Sequence, residues 1–355
     1  ASTSITVTDD DTVNVAYRVR FAPIQQNASS LFLYDINEMG YAVGSYLIPD
    51  PDRDIGSRRV GFLYDAVNDD YWTSDQMITL GPEWVDVSFV GINNFGAIVG
   101  SIENLSRDNK VGILIYPNGS GWSYEILPSP EFANRSWARK INDYGDIVGT
   151  YYVETPWPED EGANSGVFAI NTGLYDATLS LPLTEFQIPV RVWPILSNAR
   201  IGVVGNLDGS FGFDFRTGSV SPIQRPSEDY YINSISNDGQ FSAYEYLYFY
   251  TPAVFKDGVL LWKADFEGIP RGVNSAVDGN EIGDVIVDER MRHADRGLID
   301  IDDMVVFDDA DDIALWFSAP AFVQHISDRV GLTSFGYLGG KKNGVPFVLI
   351  PEVQP

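Results

Sequence analysis

A phrase of the form apolar-Asn-x-x-Gly-x-apolar-Val-Gly recurs in this chain, at Ile36 to Gly44, Ile92 to Gly100 and Ile141 to Gly149. Fainter copies follow at Leu196 to Gly205, at Ile235 to Gly239, after Val273 and from Ile326 to Gly331. Asparagine and glycine at that spacing predict a tight hairpin, since glycine takes a positive φ without penalty and asparagine bonds its own backbone two residues on. From Gly40 to Gly331 the units average about 48.5 residues, inside the roughly 40–50 of propeller blades. A repeat of this length has few folds open to it, because a single unit cannot bury its own faces.

Each unit reads as four short strands ended by proline. In the first, Leu31 to Ile36, Tyr41 to Tyr46, Val60 to Tyr64 and a strand through Tyr71-Trp72 lead to Pro82. The sixth places its third and fourth strands at Met304 to Phe307 and Ile313 to Phe317. The last unit lacks a fourth strand, and Thr12 to Phe21 alternates as a strand able to supply it. The expectation is an all-β chain: a seven-bladed β-propeller of four-stranded blades, its N-terminal strand completing the last blade. Residues 1–355 form one domain, with 1–23 as the closing strand. The blades lie at about 24–82, 83–130, 131–182, 183–226, 227–270, 271–320 and 321–355. A β-solenoid is the structural alternative, though its rungs are usually shorter. No apolar 3.6 period persists over three turns, so helices are not expected.

Fifty Asp and Glu against 23 Lys and Arg leave a net charge of −27. A surface so negative repels a phosphate backbone and no basic stripe offers an exception, so nucleic acid is not expected as a partner. The acidity reads as a solubility adaptation or as a means of binding cations. There is no cysteine, which removes disulfides, thiolate metal sites and a cysteine nucleophile. No apolar run reaches the length of a spanning helix, so membrane insertion is not expected. Ala1-Ser2-Thr3-Ser4 reads as the start left after removal of a signal peptide.

Gly61-Phe62-Leu63-Tyr64, Val167-Phe168-Ala169 and Ala253-Val254-Phe255 follow the hairpin phrase as apolar third strands. Phrase and strand together resemble the bacterial extracellular repeats named for their His-Ala-Phe signature. The resemblance implies a propeller-like fold and export, to an extracellular or periplasmic location, and it carries no catalytic residues. The chain departs from the signature in lacking its histidine: His293 and His325 are its only two, and neither precedes such a strand.

Function on a repeated scaffold sits in the connections that do not repeat. Three second-to-third strand connections are long: Leu47 to Arg59, Glu154 to Ser165 and Asp288 to Asp303. In the first, Asp50, Asp52 and Asp54 resemble the opening of a calcium loop, but Ile55 stands where glycine is required and Gly61 where a bidentate Glu is required. The residues read as a solvated acidic turn or as a calcium site, and no other cofactor is expected. In the second, Trp157 between Pro156 and Pro158 offers a stacking platform for a sugar ring, or folds back as a lid. The third holds Arg290, Arg292, Arg296 and His293, able to grip an acid or to pair among themselves. Tyr244, Tyr246, Tyr248 and Tyr250 alternate as one face of a strand. Trp72, Trp122, Trp262 and Trp316 recur at outer-strand positions and read as packing.

No Gly-x-Ser-x-Gly, His-Glu-x-x-His or Gly-Lys-Ser/Thr motif occurs. The leading expectation is an exported propeller that binds a glycan or another surface component through Trp157, Asp52, Arg290, Arg292 and His293. A polysaccharide lyase or hydrolase using His293, Arg290 and Arg292 on an acidic polymer is the enzyme alternative. A structural or assembly subunit is the third.

Overall fold

The computed structural model describes residues 15–25, 27–53, 56–106, 109–131, 133–153, 165–186, 194–198, 200–206, 209–246, 250–273, 284–288, 290–293, 297–306, 322–326, 338–342 and 345–353. Each strong phrase is a hairpin between the two inner strands of a four-stranded meander. Its first glycine takes a left-handed backbone: φ is 80° at Gly40, 78° at Gly96 and 77° at Gly145. Its last glycine is required for another reason. A Cβ on Gly44 would stand 2.0 Å from the Phe32 carbonyl oxygen, on Gly100 1.8 Å from that of Ser88, and on Gly149 2.2 Å from the Phe168 ring. The glycine in the second strand therefore lets the first strand and the third-strand aromatic close in on it.

The first meander comprises β2 (Ser29–Ile36), β3 (Tyr41–Pro49), β4 (Ser57–Asp65) and β5 (Asp70–Thr73). A single helical turn, α1 (Ser74–Met77), follows it under a Thr73/Gln76 capping box. Next come β6 (Trp84–Ile92), β7 (Ile98–Asn104), β8 (Lys110–Asn118) and β9 (Gly121–Ile126). The third is β10 (Arg135–Ile141), β11 (Asp146–Tyr152), β12 (Ser165–Asn171) and β13 (Leu181–Phe186). Then β14 (Ile195–Leu196), β15 (Ile201–Asn206), β16 (Gly209–Asp214) and β17 (Ser219–Pro222) form a sheet. The same holds for β18 (Tyr230–Ile235), β19 (Phe241–Tyr246), β20 (Tyr250–Lys256) and β21 (Val259–Lys263). After them come β22 (Pro270–Val273), β23 (Val285–Val287), β24 (Arg290–His293) and β25 (Gly297–Asp300).

The last sheet joins β27 (Phe322–Ile326), β28 (Leu338–Lys342) and β29 (Val345–Val353) to β1 (Val15–Phe21), which pairs antiparallel with β29 from Val15–Val353 to Phe21–Phe347. On the outer side of β1, β26 (Val305–Val306) adds a short parallel pairing. Inner strands follow one another around a ring, β2 against β6, β6 against β10 and onward until β27 meets β2. The chain is thus an all-β propeller. Its apolar cores lie between successive meanders: on β3, Ala42 and Tyr46 face the last sheet while Val43 faces the second meander. Both faces of the middle strands are therefore apolar, as in any sheet covered on both sides.

Four expectations are corrected. Among the described residues the strands do not form seven separate blades: five sheets carry one meander each and another is eight-stranded. The fusion arises because β10 begins by pairing in parallel with β8, Arg135 opposite Lys110, which joins β6–β9 to β10–β13. The presumed connection from Asp288 to Asp303 is itself a hairpin. Asp288, at φ 52°, turns the chain so that Val287 pairs with Arg290, and the alternation Arg290-Met291-Arg292 is that of a strand with Met291 buried. Of the predicted third strand at Met304 to Phe307, Met304 ends a 3-10 turn and Val305–Val306 form β26, while Phe307 and Ile313 to Phe317 lie outside the described residues. The tyrosine stripe is divided between the antiparallel strands β19 and β20, with Tyr246 opposite Tyr250 and Tyr248 outside the described residues.

Candidate functional site

The inner strands share an irregularity that decides what the channel presents. Pairing slips between Leu33 and Asp35, Phe89 and Gly91, Ala138 and Lys140, and Ile232 and Ser234. Each slip is a β-bulge that leaves one residue out of the ladder and re-aims its side chain. The extra residues, Tyr34, Val90, Arg139 and Asn233, stand three positions before the hairpin Asn or Ser, and all four line a cavity of about 340 Å³. The cavity opens at the end of the ring where the first-to-second strand hairpins lie. By register, the second-to-third strand connections are at the opposite end: β3 leaves β2 near Ser29 and turns at Pro49.

The hairpins around the mouth are tied to one another. Asn37 Oδ1 accepts from the Met39 and Tyr41 N–H groups, and its Nδ2 donates to the Asn93 carbonyl at 2.8 Å. Asn93 donates likewise to the Asn142 carbonyl at 3.0 Å, and Asn142 to that of Ser197 at 3.1 Å. A second string runs beside the first, with Glu38 N–H donating to Asn94, Asn94 to Asp143, Asp143 N–H to Asn198 and Asn198 N–H to Asn237. The phrase asparagine turns its own hairpin and holds the next, while the residue after it joins neighbouring hairpins only. At the fourth hairpin Arg200 occupies the glycine position with φ 63°. Its guanidinium makes two 2.8 Å bonds to the fully buried Asp146 carboxylate, which raise its pKa.

Two cations, Arg139 and Lys140, and three carboxylates, Asp35, Glu38 and Asp143, line the cavity, and Lys110 stands behind it on β8. Lys140 lies 2.5 Å from Asp35, whose other oxygen accepts the Ile92 N–H. Arg139 Nε donates to Thr150 Oγ1 at 3.2 Å, and its Cζ lies 5.6 Å from the centre of the Trp137 ring. Lys110 Nζ lies 5.5 Å from the same ring and 3.3 Å from Glu103. Burial pushes the Arg139 guanidinium down to about 10, with the Tyr34 phenol holding it partly up. Burial also lowers Lys110; Glu103 opposes the shift, while Arg59 and Arg139 add to it.

Aromatic side chains stand at the hairpin tips beside the cavity-lining residues Asn94 and Asp143. Phe95 and Tyr144, at equivalent hairpin tips, are 60% and 45% exposed, and Tyr175 is 40% exposed. Phe95 and Tyr175 rings lie 5.1 Å apart, the Tyr175 hydroxyl accepts from Asn93 Nδ2, and Arg200 Cζ stands 5.3 Å from the Tyr144 ring.

The residues singled out from sequence are not gathered in one place. Asp52 is exposed, in a turn where Asp50 Oδ1 accepts its N–H. Between them and the sheet, Arg53 is buried and bidentate on Asp86 of the next meander. Asp54 and Trp157 lie outside the described residues. No group of three metal-ligating side chains comes together among the described residues. Arg290 and Arg292 pack on the preceding sheet, Arg290 Cζ 4.3 Å from the Phe266 ring and Arg292 Cζ 5.3 Å from that of Trp262. His293 is the last residue of β24, its side chain outside the described set. Trp72, Trp122 and Trp262 pack against cores, and Trp316 lies outside the described residues.

Sequence reasoning missed Arg139, Lys140, Tyr34, Phe95 and Tyr175. The signal for the first four was present in the repeat itself, in the variable positions just before and within the hairpin phrase; Tyr175 carried none.

The ring and its channel define the chain as a β-propeller. No protein-family model matches the chain, and no curated protein sequence does. Among solved structures it is similar to U3-55K, at 7% identity and a TM-score of 0.51, over 94% of this chain and 98% of that one. It is also similar to the calcium-binding protein regucalcin of Agrobacterium tumefaciens (11% identity, TM-score 0.40, 96% and 95% covered) and to TolB of Acinetobacter baumannii (12%, 0.40, 89% and 80%). At these identities the likeness concerns the fold. No helix among the described residues is long and apolar enough to cross a membrane.

Proposed function

We propose that the protein binds a glycan at the hairpin end of its channel. The observation that carries this reading is a cavity lined by amide and charged side chains, with the exposed aromatics Phe95 and Tyr144 on the hairpin tips beside its lining residues Asn94 and Asp143 and Tyr175 packed on Phe95. Sugars present apolar CH faces and a fringe of hydroxyls; aromatic planes take the first, and amide and charged side chains take the second. The cavity's 340 Å³ suits one or two sugar rings, near the lower end of the roughly 300–1,000 Å³ usual for ligand sites. Export, as the His-Ala-Phe resemblance implies, would bring such a site to surface polysaccharides.

Titration against a panel of oligosaccharides tests the proposal. Binding is expected for at least one class, with Phe95→Ala weakening it about tenfold at a nearly unchanged melting profile. Silence across the panel would refute it. Loss of affinity in Trp157→Ala with none in Phe95→Ala would move the site to the opposite end.

A further inference from the structure

We propose that the hairpin end of the first three meanders docks another protein, by a basic segment whose apolar side chains seat on Met39, Val67, Phe95 and Tyr144. This goes beyond the glycan reading and holds whether or not the cavity takes a sugar. Met39, Phe95 and Tyr144 occupy the same place in the three strong copies of the phrase, between its asparagine and its first glycine, and all three are exposed, Met39 by 55%. Val67, 54% exposed, lies in the turn from β4 to β5 at the same end, where Asp65 pairs with Tyr41 and the Ala66 N–H donates to the Gly40 carbonyl at 3.2 Å. The three hairpins are joined in turn, Glu38 N–H to Asn94 and Asn94 N–H to Asp143. Tyr175 bridges the second and third, packed on Phe95 and 3.3 Å from where a Cβ on Gly145 would stand. The apolar tips thus stand on one connected surface.

Turning the chain does not require these side chains. Each tip gives its N–H to the phrase asparagine, so the backbone makes the turn, and the weaker copies carry Ala199 and Asp238 at this place. Large apolar side chains left in water on three neighbouring hairpins mark a contact surface, and methionine and aromatic residues are the usual anchors of protein interfaces. Met39 and Val67 also lack the flat face on which a sugar ring stacks. Charge selects the partner. The turns at this end, at 37–40, 65–70, 93–96, 116–121, 142–145 and 171–177, contain no lysine or arginine, while Asp69, Asp70 and Asp176 stand exposed and Glu38 and Asp143 half-buried among them. Lys140 and Arg200 reach this end but are bound to Asp35 and Asp146. A second copy of the chain, an anionic lipid surface and a nucleic acid all bring like charge to such a face and are repelled. Lysine and arginine side chains interleaved with apolar ones complement it.

A synthetic peptide alternating arginine and leucine tests the proposal by fluorescence anisotropy, with glutamate-for-arginine and serine-for-leucine forms as comparisons. The arginine–leucine peptide is expected to bind at least about tenfold tighter than either. Met39→Ser combined with Val67→Ser should weaken it about tenfold, while Val259→Ser, which removes a comparably exposed apolar side chain on β21, should leave it unchanged. Should the double variant melt lower than the parent, Asp70→Lys keeps both anchors and should weaken binding by repelling the peptide. Equal binding to the parent and to these variants would trace the affinity to the acidic surface at large and overturn the proposal. So would equal binding of the three peptides, or binding of none. A dimer of the protein alone that the double variant abolishes, seen by light scattering, would put a second copy on this face and overturn it too. The oligosaccharide titration of the double variant keeps the two readings apart: it leaves the cavity lining intact, so sugar binding should persist in a protein that has lost the peptide.

Discussion

Arg200 shows how one side chain can outweigh its own backbone. A non-glycine residue at φ 63° is strained, by about 1–3 kcal/mol on general grounds, and glycine fills this hairpin position in the three strong copies of the phrase. Glycine here would nevertheless strip Asp146, 0% exposed, of its only charged partner in the described hydrogen-bond set, leaving Asn142 and Asn171 to hold it. Arg200→Gly is expected to lower stability by about 1–3 kcal/mol, and adding Asp146→Asn should recover much of the loss; denaturant midpoints measure both. Arg139 has the opposite sign. Its folded pKa lies below that of the unfolded chain, so holding it as a cation opposes folding at every pH below about 10, and the penalty fades as pH rises beyond that value. Arg139→Gln should therefore fold at least as stably as the parent at neutral pH, by thermal melt. A lower melting temperature would show that the Thr150 bond and Trp137 contact outweigh desolvation.

At the scale of the hairpin, the asparagine of the phrase has two jobs that substitutions can separate. Asn93→Asp keeps the oxygen that accepts from Phe95 and Ala97 N–H but loses the donor to Asn142 and Tyr175, whereas Asn93→Ala loses everything. Alanine is expected to cost about 2–3 kcal/mol and aspartate roughly half as much, as read from chemical denaturation. Equal losses would mean that the turn alone matters. The hairpin, its glycine and its strands were legible in the sequence because they depend on neighbours a few residues away. The donor role was not, since the acceptor carbonyls lie 49 to 56 residues off and carry no side-chain signature. Arg290 and Arg292 misled for a related reason: charge suggested a loop, but alternation around Met291 made a strand, and their ring partners lie outside the strands of its sheet, Trp262 on β21 and Phe266 in the connection after it. Arg139 drew no notice because a bulge changes which way a residue points without changing the residue.

Over the whole molecule, closure depends on β1 covering β29. Tyr17 and Val19, both fully buried, pack with Phe347, Leu349, Ile286 and Met291 between the last sheet and the one before it. Tyr17→Ala should destabilise by about 3–5 kcal/mol and, by loosening β1, expose the β29 edge to pairing with other chains. Concentration-dependent light scattering during unfolding would report that, and its absence would argue that β29 is protected in another way. The periodicity announced the ring, while the joining of two meanders through Arg135 and Lys110 turned on a single parallel pair that no pattern encodes. The asparagine string has a final consequence. Its side-chain donors all point the same way around the mouth, from Asn37 to Asn93 to Asn142 to Ser197, and there the relay stops, because the short Ser197 hydroxyl finds no partner. A mouth tied twice along one arc and only once past Ser197, through the Asn198 N–H to Asn237, is expected to yield first on the Ser197 side when a wide guest enters.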